Sequence, residues 1–230
     1  MPDIIITGSE GRLEGNYTHS KTPNAPLALI LHPHPEHGGT MNNRVTYSLF
    51  QTFAARGFST LRFNFRGVGK SQGEYSGGEG ELADAAAALD WMQELNKNAP
   101  YVWVGGFSFG SWIGMQLLMR RPEIRGWVSV SPPANTEDFT FLAPCPTSGL
   151  IVHGDQDTIV PHADVQEFAE RLRAQKGIDI DYKLIENCNH FYRGQMGTLI
   201  ETVNDYLNKE RAGRHIDVKA LLENKAKAAA

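Results

Sequence analysis

Cysteine is nearly absent: Cys145 and Cys188 are the only two in 230 residues. That excludes a disulfide scaffold. Two thiols in a chain of this length point to a reducing compartment, with the cytoplasm as the expected location. Long apolar runs are also lacking. No stretch approaches the roughly eighteen apolar residues of a membrane-spanning helix, so no membrane partner is expected. The opening Met1-Pro2-Asp3-Ile4-Ile5-Ile6-Thr7 carries no basic region of the kind that begins a secretory signal. Charge of one sign is not in excess either. Lys and Arg number 22, Asp and Glu 26, and the net charge is −4. Without a basic stripe to neutralise phosphates, nucleic acid is not an expected partner. Repeats and interdomain linkers are missing too. The expectation is a single domain over 1–210, followed by a polar tail or terminal helix over 211–230.

What is present is an ordinary globular composition, 41% hydrophobic and 21% charged, arranged as alternating strand-like and helix-like segments. Short strands are expected at Ile4–Ile6 and Leu13–Thr18, as a hairpin turning at Ser9-Glu10-Gly11. Further strands are expected at Leu27–Leu31, Ser59–Phe65, Val102–Gly105, Trp127–Val130, Ser148–Val152 and Ile180–Ile185. Leu27-Ala28-Leu29-Ile30-Leu31 is apolar throughout, as a strand covered on both faces must be. Helical periodicity runs over Val45–Arg56, Leu82–Leu95, Ser108–Met119, Ala163–Ala174 and Phe191–Lys209. Alternation of this kind predicts a mostly parallel eight-stranded sheet, antiparallel near the N-terminus, with helices on both faces.

Gly106-Phe107-Ser108-Phe109-Gly110 has the form G-x-S-x-G, between a β-rich run and a helical run. Glycines on either side permit a sharp strand-to-helix turn. Ser108 then stands at a helix N-terminus, where the Phe109 N–H and the helix dipole can stabilise an oxyanion. The bland alternative is that Ser108 merely caps the helix. A serine hydroxyl needs an imidazole to take its proton and a carboxylate to hold that imidazole. Downstream, His153-Gly154-Asp155-Gln156-Asp157 follows a strand, offering two carboxylates at the sheet edge where α/β proteins place ligands. His190 lies in the polar loop Glu186–Tyr192, whereas His153 sits inside a strand end and His162 at a helix start.

Leu27–Leu31 leads into His32-Pro33-His34-Pro35-Glu36-His37-Gly38-Gly39. Pro33 and Pro35 have no N–H to donate, which leaves His34 as a backbone donor in a stiffened loop. His32, His34 and His37 are close enough in sequence to suggest a metal, but alternate prolines splay them and no cysteine or carboxylate pair completes a shell, so no metal or cofactor is expected. His32 is read instead as packing beneath the site with a structural hydrogen bond. Met41-Asn42-Asn43-Arg44 are expected to cap the next helix and line the pocket. Gly67-Val68-Gly69-Lys70-Ser71 resembles a phosphate loop, but Asn64 stands where that motif needs glycine, and Arg66 is read as a structural brace.

With L-H-P-H-P-x-x-G-G-T-M-N-N at Leu31–Asn43 and F-N-F-R-G-V-G-x-S at Phe63–Ser71, the chain resembles the small, cap-less serine hydrolases of the α/β-hydrolase superfamily. The resemblance implies an α/β-hydrolase fold and a triad in the order Ser108, acid, His190. Its pattern G-x-x-D-x-x-V-P matches Gly154, Asp157, Val160 and Pro161, which favours Asp157 and leaves Asp155 a turn-stabilising role. It also implies an oxyanion hole formed by the Phe109 and His34 N–H groups. Where many relatives insert a lid, this chain has only Ser131–Ser148. Phe139, Phe141 and Leu142 there suit either an acyl-pocket wall or the core, and Phe107 joins them as a pocket candidate. The expected activity is hydrolysis of small, fairly apolar carboxylic esters through an acyl-enzyme, with no cofactor. Peptidase, amidase or thioesterase chemistry on the same triad is the alternative, and a non-enzymatic binding module would need a missing triad member.

Overall fold

The hairpin comes first. Strands β1 (Asp3–Gly8) and β2 (Gly11–Thr18) pair antiparallel with Gly8 opposite Gly11, so that Ser9 and Glu10 form the turn. There follow β3 (Leu27–Leu31), α1 (Arg44–Ala55), β4 (Ser59–Phe63), α2 (Glu79–Leu95), β5 (Val102–Phe107), α3 (Phe109–Leu118) and β6 (Ile124–Val130). The described chain closes with β7 (Gly149–Gly154), α4 (His162–Arg173), β8 (Ile180–Ile185) and α5 (Met196–Gly213). This computed structural model describes residues 3–213; the expected tail lies, from Arg214 onward, outside the described residues.

The strands form one eight-stranded sheet in the order β1-β2-β4-β3-β5-β6-β7-β8. Strand β2 runs antiparallel to β1 and β4, and the remaining neighbours are parallel. The two-residue period of a strand distributes β3 between two cores. Leu27, Leu29 and Leu31 share one core with Leu82 and Leu89 of α2 and Ile113 of α3, which continues to Phe168 of α4 beside β7 and β8. Ala28 and Ile30 pack with Leu49, Phe50 and Phe53 of α1 and with Val203 of α5. All five side chains of β3 are buried, which is why the run reads as continuously apolar.

Three boundaries move for identifiable reasons. Helix α2 starts at Glu79 rather than Leu82, because the buried Glu81 carboxylate accepts the Ser76 N–H (3.1 Å) and the Gly78 N–H (2.7 Å), satisfying amides ahead of the first turn. Strand β4 stops at Phe63, since the Phe65 and Arg66 N–H groups donate to the side chains of His32 and Asp84 rather than to a neighbouring strand. The last helix begins at Met196 and not at Phe191, because Tyr192 adopts a left-handed backbone with φ 55°, which a right-handed helix cannot contain.

Candidate functional site

The parallel strands all end on one edge, and the polar segments of interest leave from there. At the end of β5 the chain reverses into α3 through Ser108, whose φ of 52° and ψ of −122° lie outside the regions comfortable for a residue with a Cβ. The turn is tight. A Cβ on Gly106 would sit 2.4 Å from the Gly110 carbonyl oxygen, and one on Gly110 would sit 2.5 Å from the carbonyl oxygens of Leu31 and His32. Both positions of the motif therefore exclude any side chain. The Ser108 N–H donates to Val130 O (2.8 Å), which ties the turn to the end of β6. Although Ser108 occupies the N-cap position, its side chain makes no capping hydrogen bond. The half-buried serine stands on a strained turn with a side chain that does not cap the helix, which removes the simple capping explanation.

Past β7, Asp157 is buried. One of its carboxylate oxygens accepts the Ile159 and Val160 N–H groups, both at 2.9 Å, and the other lies 2.6 Å from His190 Nδ1. Burial pushes this carboxyl up, but the hydrogen bonds from His190 and Val160, with the neighbouring imidazoles, outweigh it and bring its pKa below the ordinary value. Asp157 is therefore an anion with both oxygens engaged, and Nδ1 of His190 carries the donated proton, leaving Nε2 as the basic atom. Asp155 does something else. Its carboxylate accepts the Cys188 N–H (3.1 Å), pinning the 186–189 loop against the end of β7. The His190 ring lies against Phe107, the residue before Ser108, with ring centroids 5.0 Å apart. No hydrogen bond joins Ser108 to His190 among the described residues; such bonds commonly tighten only when substrate is bound.

Phe109 opens α3, so its N–H has no acceptor within the helix. The His34 carbonyl accepts the His37 and Gly39 N–H groups, which curls the loop back on itself, and the His34 ring packs 5.0 Å from the Phe109 ring. Beneath this loop His32 is fully buried. Phe65 N–H donates to its Nε2 (3.0 Å), so Nδ1 holds the proton and donates to Pro33 O (2.6 Å). Burial lowers its pKa to about 4. Because the folded value lies below the unfolded value near 6.5, the stability contributed by neutral His32 is present above pH 6.5 and drains away as pH falls toward 4. Chemical unfolding at pH 7 and pH 5 is expected to show about 2 kcal/mol lost through this group, and His32→Asn should flatten the slope by that amount.

A match to the α/β-hydrolase-fold family model covers residues 36–146. An α/β serine hydrolase homologue of Coxiella burnetii superposes with a TM-score of 0.82 at 36% identity, over 90% of this chain and 97% of that one. The chain is an α/β hydrolase. A protein of unknown function from Agrobacterium tumefaciens is 54% identical, with a TM-score of 0.91 over 93% of this chain and 98% of that one. An α/β serine hydrolase without a lid from Xanthomonas campestris gives 0.81 at 26% identity, over 90% and 94%.

This α/β hydrolase connects β6 to β7 through Ser131–Ser148, whose only regular structure is a 3-10 turn at Thr140–Leu142. Phe139 of that connection packs at a tilt against Phe168 of α4, with centroids 4.5 Å apart, and Leu142 is buried as well. Both belong to the core beneath α4, and Phe141 packs on its margin. Met41 is buried as well, its N–H donating to Asn64 Oδ1 (2.8 Å), and the Asn43 side chain caps α1 by accepting the Val45 N–H (2.9 Å). Arg66 is a brace: its guanidinium meets both Asp84 oxygens (3.0 and 2.8 Å), Glu10 (2.7 Å) and Ser9 (2.8 Å). The rim of the site has a feature that motif reading missed. Phe191 and Ile159, neighbours of His190 and Asp157, are 45% and 52% exposed. An apolar residue beside a polar motif gives no periodic signal, so only its exposure in the fold singles it out.

Among the described residues, no helix is long and apolar enough to cross a membrane. Cys145 and Cys188 are both buried free thiols.

Proposed function

We propose that the protein is a serine carboxylesterase in which Ser108 is the nucleophile, His190 the general base and Asp157 its orienting carboxylate. The observation that carries this reading is the combination of a strained, uncapped Ser108 with an imidazole whose Nδ1 is held 2.6 Å from a buried anion. Ser108 Oγ attacks the ester carbonyl while His190 Nε2 takes its proton, and the oxyanion is met by the Phe109 and His34 N–H groups. His190 then returns the proton to the departing alcohol. Water attacks the resulting acyl-serine by the same route, releasing the acid and restoring the serine. Throughout, the Asp157 anion stabilises the imidazolium without taking its proton.

Substrate size follows from the absence of a lid and from the apolar rim. Small esters with an apolar acyl group fit an open site bordered by Phe191 and Ile159 better than large polar ones do, whereas Phe107, expected to line the pocket, is fully buried in the core beneath His190. The expected partner is a small-molecule ester, and the two free thiols favour the cytoplasm. The test is a comparison of p-nitrophenyl acetate, longer acyl esters, an acyl thioester and aminoacyl amides. Esters are expected to lead, and faster cleavage of the amides or the thioester would replace the esterase reading with the corresponding alternative. Phe191→Ala should lower kcat/KM for p-nitrophenyl butyrate more than for the acetate. Removing one apolar contact per added methylene gives a discrimination loss of about tenfold, read as the ratio of the two specificity constants.

A further inference from the structure

A hydrogen-bonded brace behind the site joins the three chain segments that carry Ser108, Asp157 and His190. Tyr192 follows His190 by two residues, and its side chain is fully buried despite its polar end. Its hydroxyl donates to Val152 O (3.0 Å) in β7, the strand that leads to Asp157. A phenol has one hydrogen, and that bond uses it. The second contact, Ser131 Oγ at 3.1 Å, must therefore be donated by the serine. Ser131 is itself completely buried and follows β6 directly, one residue after the Val130 carbonyl that accepts the Ser108 N–H. Its own N–H also donates to Val152 O (2.9 Å), so that one carbonyl receives both ends of the brace.

Two features show that the arrangement is costly to keep. Tyr192 and Ser131 both adopt left-handed backbone, at φ 55° and 46°, although neither is glycine. Such residues persist only where surrounding contacts over-determine them. The left-handed turn at Tyr192 is what stops α5 from starting at Phe191, and it lets Tyr192 N–H return to Asn189 O (3.0 Å) across His190. The strain is thus spent on the shape of the loop that bears the base.

We infer that Tyr192, through its bond to Ser131, is a positioning residue that sets where His190 stands over Ser108. This rests on the esterase reading above. It does not touch substrate; it acts by holding the base loop at a fixed height against the strand ends. A general base must lie within hydrogen-bond reach of the proton it takes, and a displacement near 1 Å costs on the order of a hundredfold in rate. A loosened loop that still samples the correct position should lose less.

The test uses Tyr192→Phe, which keeps the ring and its packing, together with Ser131→Ala and the double variant. Each is assayed on p-nitrophenyl acetate well below its own melting temperature. The expected result is a fall in kcat of about tenfold for Tyr192→Phe, with KM for the acetate within twofold, because Phe191, the base-loop residue at the apolar rim, is expected to matter for longer acyl groups. Ser131→Ala should show a smaller loss of the same kind, and the double variant should be no worse than Tyr192→Phe, whose missing hydroxyl already removes the serine's bond together with the one to Val152 O. A Tyr192→Phe enzyme with a lowered melting temperature but unchanged kcat would overturn the inference and leave a purely structural brace. Additive losses would overturn the shared-bond argument. If instead the unmodified protein neither cleaves esters nor labels at Ser108, the esterase reading fails, and the two failures remain distinct.

Discussion

Ser108→Ala is expected to reduce ester hydrolysis by about 10⁶-fold and to abolish labelling by a fluorophosphonate, with the melting temperature little changed. The size follows from the division of labour proposed for the site. Without the hydroxyl, His190 and Asp157 have nothing to activate, and only the oxyanion donors and substrate binding continue to act on the ester. The structural part follows from the local geometry. The Ser108 side chain caps nothing, whereas the backbone bond from its N–H to Val130 O survives the substitution. Alanine keeps the Cβ, so the strain at φ 52° is neither relieved nor increased. Mass spectrometry of the labelled protein checks the position directly. Labelling that persists in the alanine variant would place the nucleophile elsewhere.

Asp157→Asn is expected to lower kcat by about 10⁴-fold, and Asp155→Asn to leave it close to the unmodified value. Asparagine at 157 is isosteric, and the geometry dictates which way it points. Its carbonyl oxygen must accept the Ile159 and Val160 N–H groups, which turns its NH₂ toward His190 Nδ1. Two donors cannot share a hydrogen bond, so the imidazole proton moves to Nε2, the atom that should receive the serine proton. The base is then in the wrong tautomer. At 155 the side-chain hydrogen bond to preserve among the described residues is an acceptor for the Cys188 N–H, and an asparagine oxygen supplies one. Parallel kinetics on the two variants decide the assignment, and a larger loss at 155 would reverse it.

Much of this was legible beforehand, for reasons tied to particular segments. The two-residue and 3.6-residue periods located every strand and every described helix, because each element buries one face or both against a single sheet. β3 is the clearest case, apolar at all five positions since helices cover it on both sides. Gly106 and Gly110 stand where the fold brings backbone against backbone, and that requirement is local enough to be read as a motif. His32 and Arg66 were also readable as structural, since a histidine between a buried strand and a proline, and an arginine in a glycine-rich loop, need partners for their polar atoms.

The tertiary structure decided what depends on packing between segments distant in sequence. Asp155 and Asp157 offer the same chemistry as text, and only the resemblance to a family pattern favours Asp157. Only the approach of the 186–191 loop to the end of β7 makes one a partner for an imidazole and the other a staple for Cys188. Phe139 and Leu142 carry the composition of a pocket wall, but α4 covers them, whereas Phe191, inside a polar motif, is left exposed at the rim. Tyr192 continued a helical pattern until its left-handed backbone and its bond to Ser131 turned it into a loop anchor. The order of elements, the strained serine and the residue types of the chemistry are determined by sequence, because periodicity and steric exclusion act over a few residues. Which carboxylate meets the His190 imidazole, and what braces the loop that carries it, depend on contacts between chain segments tens of residues apart, and only folding brings them together.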